Sequence, residues 1–181
     1  MTLDIHNIVQ GLAVSRPIFH SEADFHVALS ETIKALGYET RLEFPSFRGE
    51  SKRQDIWVSN AELLVELKFP TQKLEIESSG KSFSLKEHSA QDLGRYDFIK
   101  DIQRLERAVR EGIYAKRGFA VMLTNDSLYW RPSPTRRRTG SDEFRIHEER
   151  HVTGPMEWGP TAGPGTRNGR EEPIILTGSY K

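Results

Sequence analysis

The chain has 181 residues, no cysteine, and 26 acidic against 26 basic residues, which gives a formal net charge of zero. This length suits one domain over residues 1–181 with a sizeable core. The lack of cysteine excludes disulfides, thiol catalysis and cysteine-based zinc sites. Balanced charge means that any nucleic-acid binding must come from a local patch. Charges interrupt every apolar run, and no signal-peptide pattern is present, so we expect a cytoplasmic protein without a membrane span.

The first part of the chain predicts two helices and a strand. A short helix is expected over 3–12, and a longer one over 20–37 with Ser21 as its N-cap. The longer helix has an apolar stripe at helical spacing, formed by Phe25, Ala28, Leu29, Thr32, Ile33 and Leu36. Glu22 falls on the same stripe in the first turn, where an acid often serves only the helix dipole. Thr40–Phe44 alternates as a strand.

Residues 53–70 read as two short strands joined by a tight turn. A two-residue turn at 60–61 sets Asp55 directly opposite Glu66. Two opposed carboxylates repel, unless a divalent cation lies between them. Mg²⁺ binds through one or two carboxylates and completes its shell with water and phosphate. Lys68 follows on the same face, where its ammonium can neutralise a phosphate or orient a metal-bound water, so the pattern predicts metal-assisted phosphodiester hydrolysis.

The second part predicts a small hairpin, a long helix and a buried strand. The hairpin at 74–85 is either a flap over the site or a surface excursion. The helix spans 91–112, and we interpret most of its mixed charges as a solvated face with pairs four residues apart. An apolar run at 117–126 is typical of a buried strand. The remaining segment, 127–181, is rich in loops and short strands, with a last strand over 173–180.

Asp55 and Glu66-Leu67-Lys68 resemble the motif of the PD-(D/E)xK nuclease superfamily. The order helix, strand, hairpin, helix, strand over about residues 20–126 is similar to that superfamily's αβββαβ core. The resemblance implies an α/β, restriction-endonuclease-like fold, with a mixed central sheet flanked by helices and a C-terminal extension. It also implies a nuclease that uses Mg²⁺, with Mn²⁺ as a substitute. Asp55, Glu66 and the backbone carbonyl of Leu67 would bind the metal, and Lys68 would assist the attacking water.

The resemblance implies further site residues and partners. Glu22 corresponds to an acid that often lies on the first helix near the metal, and Gln54 replaces the proline that often precedes the aspartate. Gln91 and Arg95 resemble substrate-contacting residues of that superfamily. Independently of the resemblance, the basic run Arg136, Arg137 and Arg138 is a further substrate-contact candidate, equally compatible with a solvated loop. DNA is the favoured substrate, in defence (restriction) or repair. The protein would act as a homodimer or as a subunit of a larger defence or repair complex.

Two other functions remain open on the sequence. His147-Glu148-x-x-His151 matches the zinc-peptidase motif, in which both histidines lie on one face of a helix. The strand-like alternation at 144–146 argues against that helix, and on a strand the histidines lie too far apart to share a metal. The other alternative is a non-catalytic nucleic-acid-binding or scaffold module of the same fold, which has no need of opposed carboxylates.

Overall fold

The computed structural model describes residues 3–45, 47, 51–133 and 137–181. The α-helices are α1 (Ile5–Ser15), α2 (Glu22–Ala35), α3 (Gln91–Glu111) and α4 (Pro164–Arg167). The strands are β1 (Thr40–Phe44), β2 (Gln54–Val58), β3 (Leu63–Lys68), β4 (Leu74–Ser78), β5 (Lys81–Leu85), β6 (Arg117–Met122), β7 (Val152–Met156) and β8 (Ile174–Tyr180). Within the described ranges, no helix is long and apolar enough to cross a bilayer.

The protein is a mixed α/β structure around a four-stranded sheet in the order β1-β2-β3-β6. β1, β2 and β3 pair antiparallel, whereas β3 and β6 pair parallel. Ile56 lies opposite Val65, so Asp55 faces Glu66 one position further along, as the alternation predicted. β4 and β5 form the predicted small hairpin as a separate sheet.

The turn between β2 and β3 differs from the predicted two-residue turn. It is a 3₁₀ turn over Ser59–Ala61, followed by Glu62 in the left-handed conformation at φ 48°. The Asn60 side chain accepts a hydrogen bond from the Glu39 amide at 3.0 Å, which ties the turn to the approach to β1. The Glu62 amide donates to the Ser59 carbonyl at 3.3 Å. The strand register is therefore preserved although the turn type is different.

The helices cover the two faces of the sheet because their apolar stripes match its alternating side chains. On α2, Ser21 caps the helix by accepting from the Asp24 amide at 3.2 Å, as predicted. The core on this face includes Ile5, Phe25, Leu29, Ile33, Ile56, Val58, Val65 and Leu67. On the other face, Leu105 and Ala108 of α3 pack with Leu64. The motif side chains of β2 and β3 that alternate with the α2-facing core therefore point toward α3.

The C-terminal extension packs against α3 through an aromatic cluster and a hairpin of β7 and β8. The predicted strand at 144–146 is wrong, because Asp142–Phe144 forms a 3₁₀ helix. Its backbone turns so that Phe144 is buried against Tyr96 and Trp158, with ring centroids 5.1 and 4.6 Å away. The segment 127–181, expected to hold loops and short strands, also contains the short helix α4.

Candidate functional site

The three motif side chains lie on one face of two paired strands. Asp55 is near the start of β2, while Glu66 and Lys68 are two residues apart on β3. The Asp55 carboxylate Oδ2 accepts a hydrogen bond from the Leu67 amide at 2.6 Å, which fixes it beside β3. Glu66 is only 2% exposed. The structure therefore places two carboxylates side by side, one of them buried.

Helix α3 supplies a second pair of charges to this face. Arg104 Nη2 lies 2.6 Å from Glu66 Oε1 and 2.9 Å from Asp101 Oδ1, and Lys68 Nζ lies 2.9 Å from Asp101 Oδ2. The four side chains thus alternate in charge from Glu66 to Lys68. Asp101 is 4% exposed, so interpreting the α3 charges as a solvated face is wrong at this position.

The ion pairs in this network are close in distance but poor in angle. Glu66 Oε1 and Asp101 Oδ2 are buried and accept no hydrogen bond of good geometry from any described residue. The contacts with Arg104 and Lys68 are therefore electrostatic, without the alignment of a strong charge-assisted hydrogen bond. Each of the two oxygens nevertheless lies against a cation, Glu66 Oε1 against Arg104 and Asp101 Oδ2 against Lys68.

The surroundings of Glu66 disfavour the ionised form of its carboxyl group. Burial, and then the neighbouring Asp55, raise the pKa of Glu66 to about 8, even though Arg104 acts to lower it. Burial alone would lower the pKa of Lys68, but Asp101, Glu22 and Asp55 raise it above its usual value. A carboxylate under this strain takes up a proton or a metal cation. The oxygen-rich set around Asp55 and Glu66 thus suits a hard divalent ion.

A second group of potential ligands, which the sequence did not predict, includes Asp55. His26 on α2, Glu43 on β1 and Asp55 on β2 bring their ligand atoms within 4.8 Å of one another, the one such trio in the described part of the chain. His26 Nε2 is 3.7 Å from Asp55 Oδ2. His26 follows Glu22 by four residues, which places both on one face of α2. This spacing could have identified His26 as a candidate ligand from the sequence. Glu43 reaches Asp55 only because β1 pairs with β2.

Glu43 adopts a backbone conformation that is uncommon for its residue type. Its φ is +50°, and it interrupts the β1–β2 ladder between the pairs Leu42–Ile56 and Phe44–Gln54. A left-handed non-glycine residue costs about 1–2 kcal/mol. Such outliers concentrate at functional positions, and this one stands in the ligand trio.

Glu22, in the first turn of α2, lies near Lys68. Its Oε2 accepts from the Phe69 amide at 2.9 Å, and Glu22 and Lys68 both line a cleft of about 400 Å³. The first turns of α3 form the other wall of the cleft, which has the size of a small-ligand site. A larger cavity, about 1170 Å³, lies between α3, β6 and the C-terminal hairpin. None of Glu22, Asp55, Glu66 or Lys68 lines the larger cavity, whereas Glu22 and Lys68 line the smaller cleft, so we place the chemistry at the Lys68 side of the motif face, beside that cleft.

Gln91 and Arg95, two substrate-contact candidates, are engaged within the protein. Gln91 Nε2 donates to the fully buried Asp126 carboxylate at 2.9 Å. Arg95 is buried, and its Nη1 lies 3.4 Å from the Leu128 carbonyl. In this conformation both side chains hold the 126–129 turn against α3.

The remaining candidates lie in the C-terminal extension. Arg137 and Arg138 are exposed, and Arg136 lies outside the described residues. Residues 147–151 form no helix, and Glu149 within them is left-handed at φ 68°. The zinc-peptidase alternative therefore lacks the helical face on which His147 and His151 need to lie.

The fold and the site define a mixed α/β protein with clustered carboxylates, one lysine and one arginine at a sheet face. In comparisons with known proteins, no family model, no curated protein and no solved structure matches this chain. Its function is therefore argued from these side chains.

Proposed function

We propose that the protein is a divalent-metal-dependent nuclease of restriction-endonuclease-like fold that hydrolyses phosphodiester bonds, with DNA as the favoured substrate. One observation carries the proposal. Asp55 and Glu66 lie opposite each other on paired strands, with Lys68 on the same face beside a cleft. The element order α2, β1, β2, β3, α3, β6 and the parallel pairing of β3 with β6 support the proposed fold.

The donor set fits Mg²⁺, with Mn²⁺ as a substitute. Asp55, Glu66, the Leu67 carbonyl and Glu22 would hold the ion, directly or through water. Burial and the like charge of Asp55 raise the pKa of Glu66 even with Arg104 beside it, and a cation between the two carboxylates would offset both effects. When bound, such an ion polarises a phosphoryl oxygen and lowers the pKa of a coordinated water.

Lys68 would act through its charge rather than as a base. Its pKa is raised above the usual lysine value, so it stays protonated at neutral pH. A protonated ammonium can neutralise phosphate oxygens and orient the attacking water. Asp101, 2.9 Å from Lys68 Nζ, holds the ammonium of this side chain, which lines the cleft. Water attacks phosphorus, the bond to the leaving oxygen breaks, and a phosphate monoester and a hydroxyl result.

The experiment is cleavage of plasmid and of labelled single-stranded DNA with Mg²⁺, Mn²⁺, Zn²⁺ or EDTA. We expect cutting that needs Mg²⁺ or Mn²⁺ and that is lost in Asp55→Ala, Glu66→Ala and Lys68→Ala, with unchanged circular dichroism. Lys116→Ala is the matched lysine control, since Lys116 forms an exposed pair with Glu62 far from the cleft. Full activity in Asp55→Ala or Lys68→Ala would overturn the site.

A second candidate has one observation in its favour. Glu66 and Lys68 are already paired with Arg104 and Asp101, which suits a nucleic-acid-binding module of the same fold that does not cleave. DNA binding in EDTA, without cutting in any metal, would support that module over the nuclease. Light scattering with and without DNA would test the proposed homodimer.

A further inference from the structure

The ligand trio of His26, Glu43 and Asp55 differs chemically from the Glu66 site. It contains an imidazole and two carboxylates, contributed by three separate elements, α2, β1 and β2. Imidazole nitrogen is a ligand for first-row transition ions, whereas Mg²⁺ prefers oxygen ligands alone. Because their donor atoms differ, the trio and the Glu66 site are expected to prefer different ions.

His26 itself points to a ligand. The residue is 8% exposed, and its buried Nε2 has no hydrogen-bond partner among the described residues. The 3.7 Å to Asp55 Oδ2 is too long for a hydrogen bond. An orphaned buried polar atom costs free energy, and most such atoms find a partner. A cation between His26, Glu43 and Asp55 would supply that partner and relieve the repulsion between the carboxylates.

We propose that His26, Glu43 and Asp55 form a second divalent-cation site that prefers Zn²⁺ and Mn²⁺ to Mg²⁺. Three protein ligands leave the remaining positions open to water. Asp55 would be shared between this site and the Glu66 site, because its carboxylate belongs to the trio and its residue lies opposite Glu66 on the paired strand. The proposal that an ion binds here depends only on the trio, whereas any role of that ion in cleavage depends on the proposed nuclease function.

A substitution at Glu43 can remove a metal ligand without disturbing the fold, so it separates loss of ion binding from loss of folding. At its φ of +50° glycine is the favoured residue, so Glu43→Gly removes the ligand and relaxes the backbone. Glu62 has almost the same φ, +48°, and its carboxylate pairs with the exposed Lys116 at 2.6 Å. Glu62→Gly is therefore the matched control, with the same substitution in the same backbone region away from the trio.

The experiment is calorimetric titration of the metal-free full chain with Mn²⁺, Zn²⁺ and Mg²⁺, together with visible absorption of the Co²⁺ form. We expect His26→Gln and Glu43→Gly to weaken Mn²⁺ and Zn²⁺ binding at least tenfold, and Glu62→Gly to leave it within threefold. The Co²⁺ bands should disappear in His26→Gln and persist in Glu66→Gln.

Unchanged Mn²⁺ and Zn²⁺ affinity in both His26→Gln and Glu43→Gly would overturn the second site, as would Co²⁺ bands that depend on Glu66 alone. The two proposals fail differently. Retained His26-dependent binding without DNA cleavage would contradict the nuclease and support this site. Mg²⁺-dependent cleavage without any His26-dependent ion binding would contradict the second site and support the nuclease.

Discussion

Replacing Arg104 tests whether the charge network between β3 and α3 is a structural requirement of the site. Arg104→Met keeps most of the side-chain volume but removes the cation between Glu66 and Asp101. Breaking a buried ion pair typically costs about 3–5 kcal/mol, because a charge remains buried without compensation. Here Glu66 can take up a proton and Asp101 keeps Lys68. We therefore expect the lower end, about 3 kcal/mol, or roughly 6–12 °C in Tm for a chain of this size.

Urea unfolding in EDTA at pH 7, followed by circular dichroism, measures this cost. Glu66→Gln added to Arg104→Met removes the stranded carboxylate, so the double variant should be more stable than Arg104→Met alone. Such non-additivity is the signature of a direct coupling. An Arg104→Met variant within 0.5 kcal/mol of the parent (about the error of additivity), or strictly additive effects, would refute the network as described.

Two further predictions concern α3. Glu106 accepts from the Thr177 and Gly178 amides, and these bonds lower its pKa although burial opposes them. Its contribution to stability is therefore complete above its usual pKa of 4.5 and is lost as the pH falls through the lowered value. Glu106→Gln should cost roughly 1–2 kcal/mol at pH 7, a gap that urea unfolding should show closing in acid. A Cβ on Gly94 would lie 2.3 Å from the Tyr129 hydroxyl, so Gly94→Ala should lower Tm, and Tyr129→Phe should restore part of the loss. No recovery in that double variant would contradict the clash.

The motif strands were predictable from the sequence because their geometry is local. Period-two alternation and a short connection were enough to set Asp55 opposite Glu66, and the 3₁₀ turn preserved that register. Glu43 was not predictable in the same way. Its left-handed backbone interrupts a ladder that forms only when β1 meets β2, and Arg53 holds its carbonyl at 3.0 Å. Glycine is the residue that favours that conformation, and a glutamate at this position gives no such signal.

The burial of charged side chains on α3 was also not predictable from the sequence. A helix with interleaved acids and bases is usually solvated, and Asp101 and Arg104 look no different from their neighbours in the sequence. Their partners, Glu66 and Lys68, lie on a strand distant in the chain. The packing of α3 across β3 decides which charged side chains are desolvated. Arg104 and Asp101 could therefore be identified as site residues only from the tertiary structure.

Helix α3 is also the element that the site and the C-terminal hairpin have in common. Arg104 faces Glu66 from this helix, and Glu106, two residues later, binds the backbone of β8. A helix is stiff over such a short distance, because every backbone hydrogen bond resists local bending. A displacement of the β7–β8 hairpin that moves Glu106 would therefore also move Arg104, whose guanidinium lies 2.6 Å from Glu66. The C-terminal extension is in this way mechanically coupled to the charge network between β3 and α3.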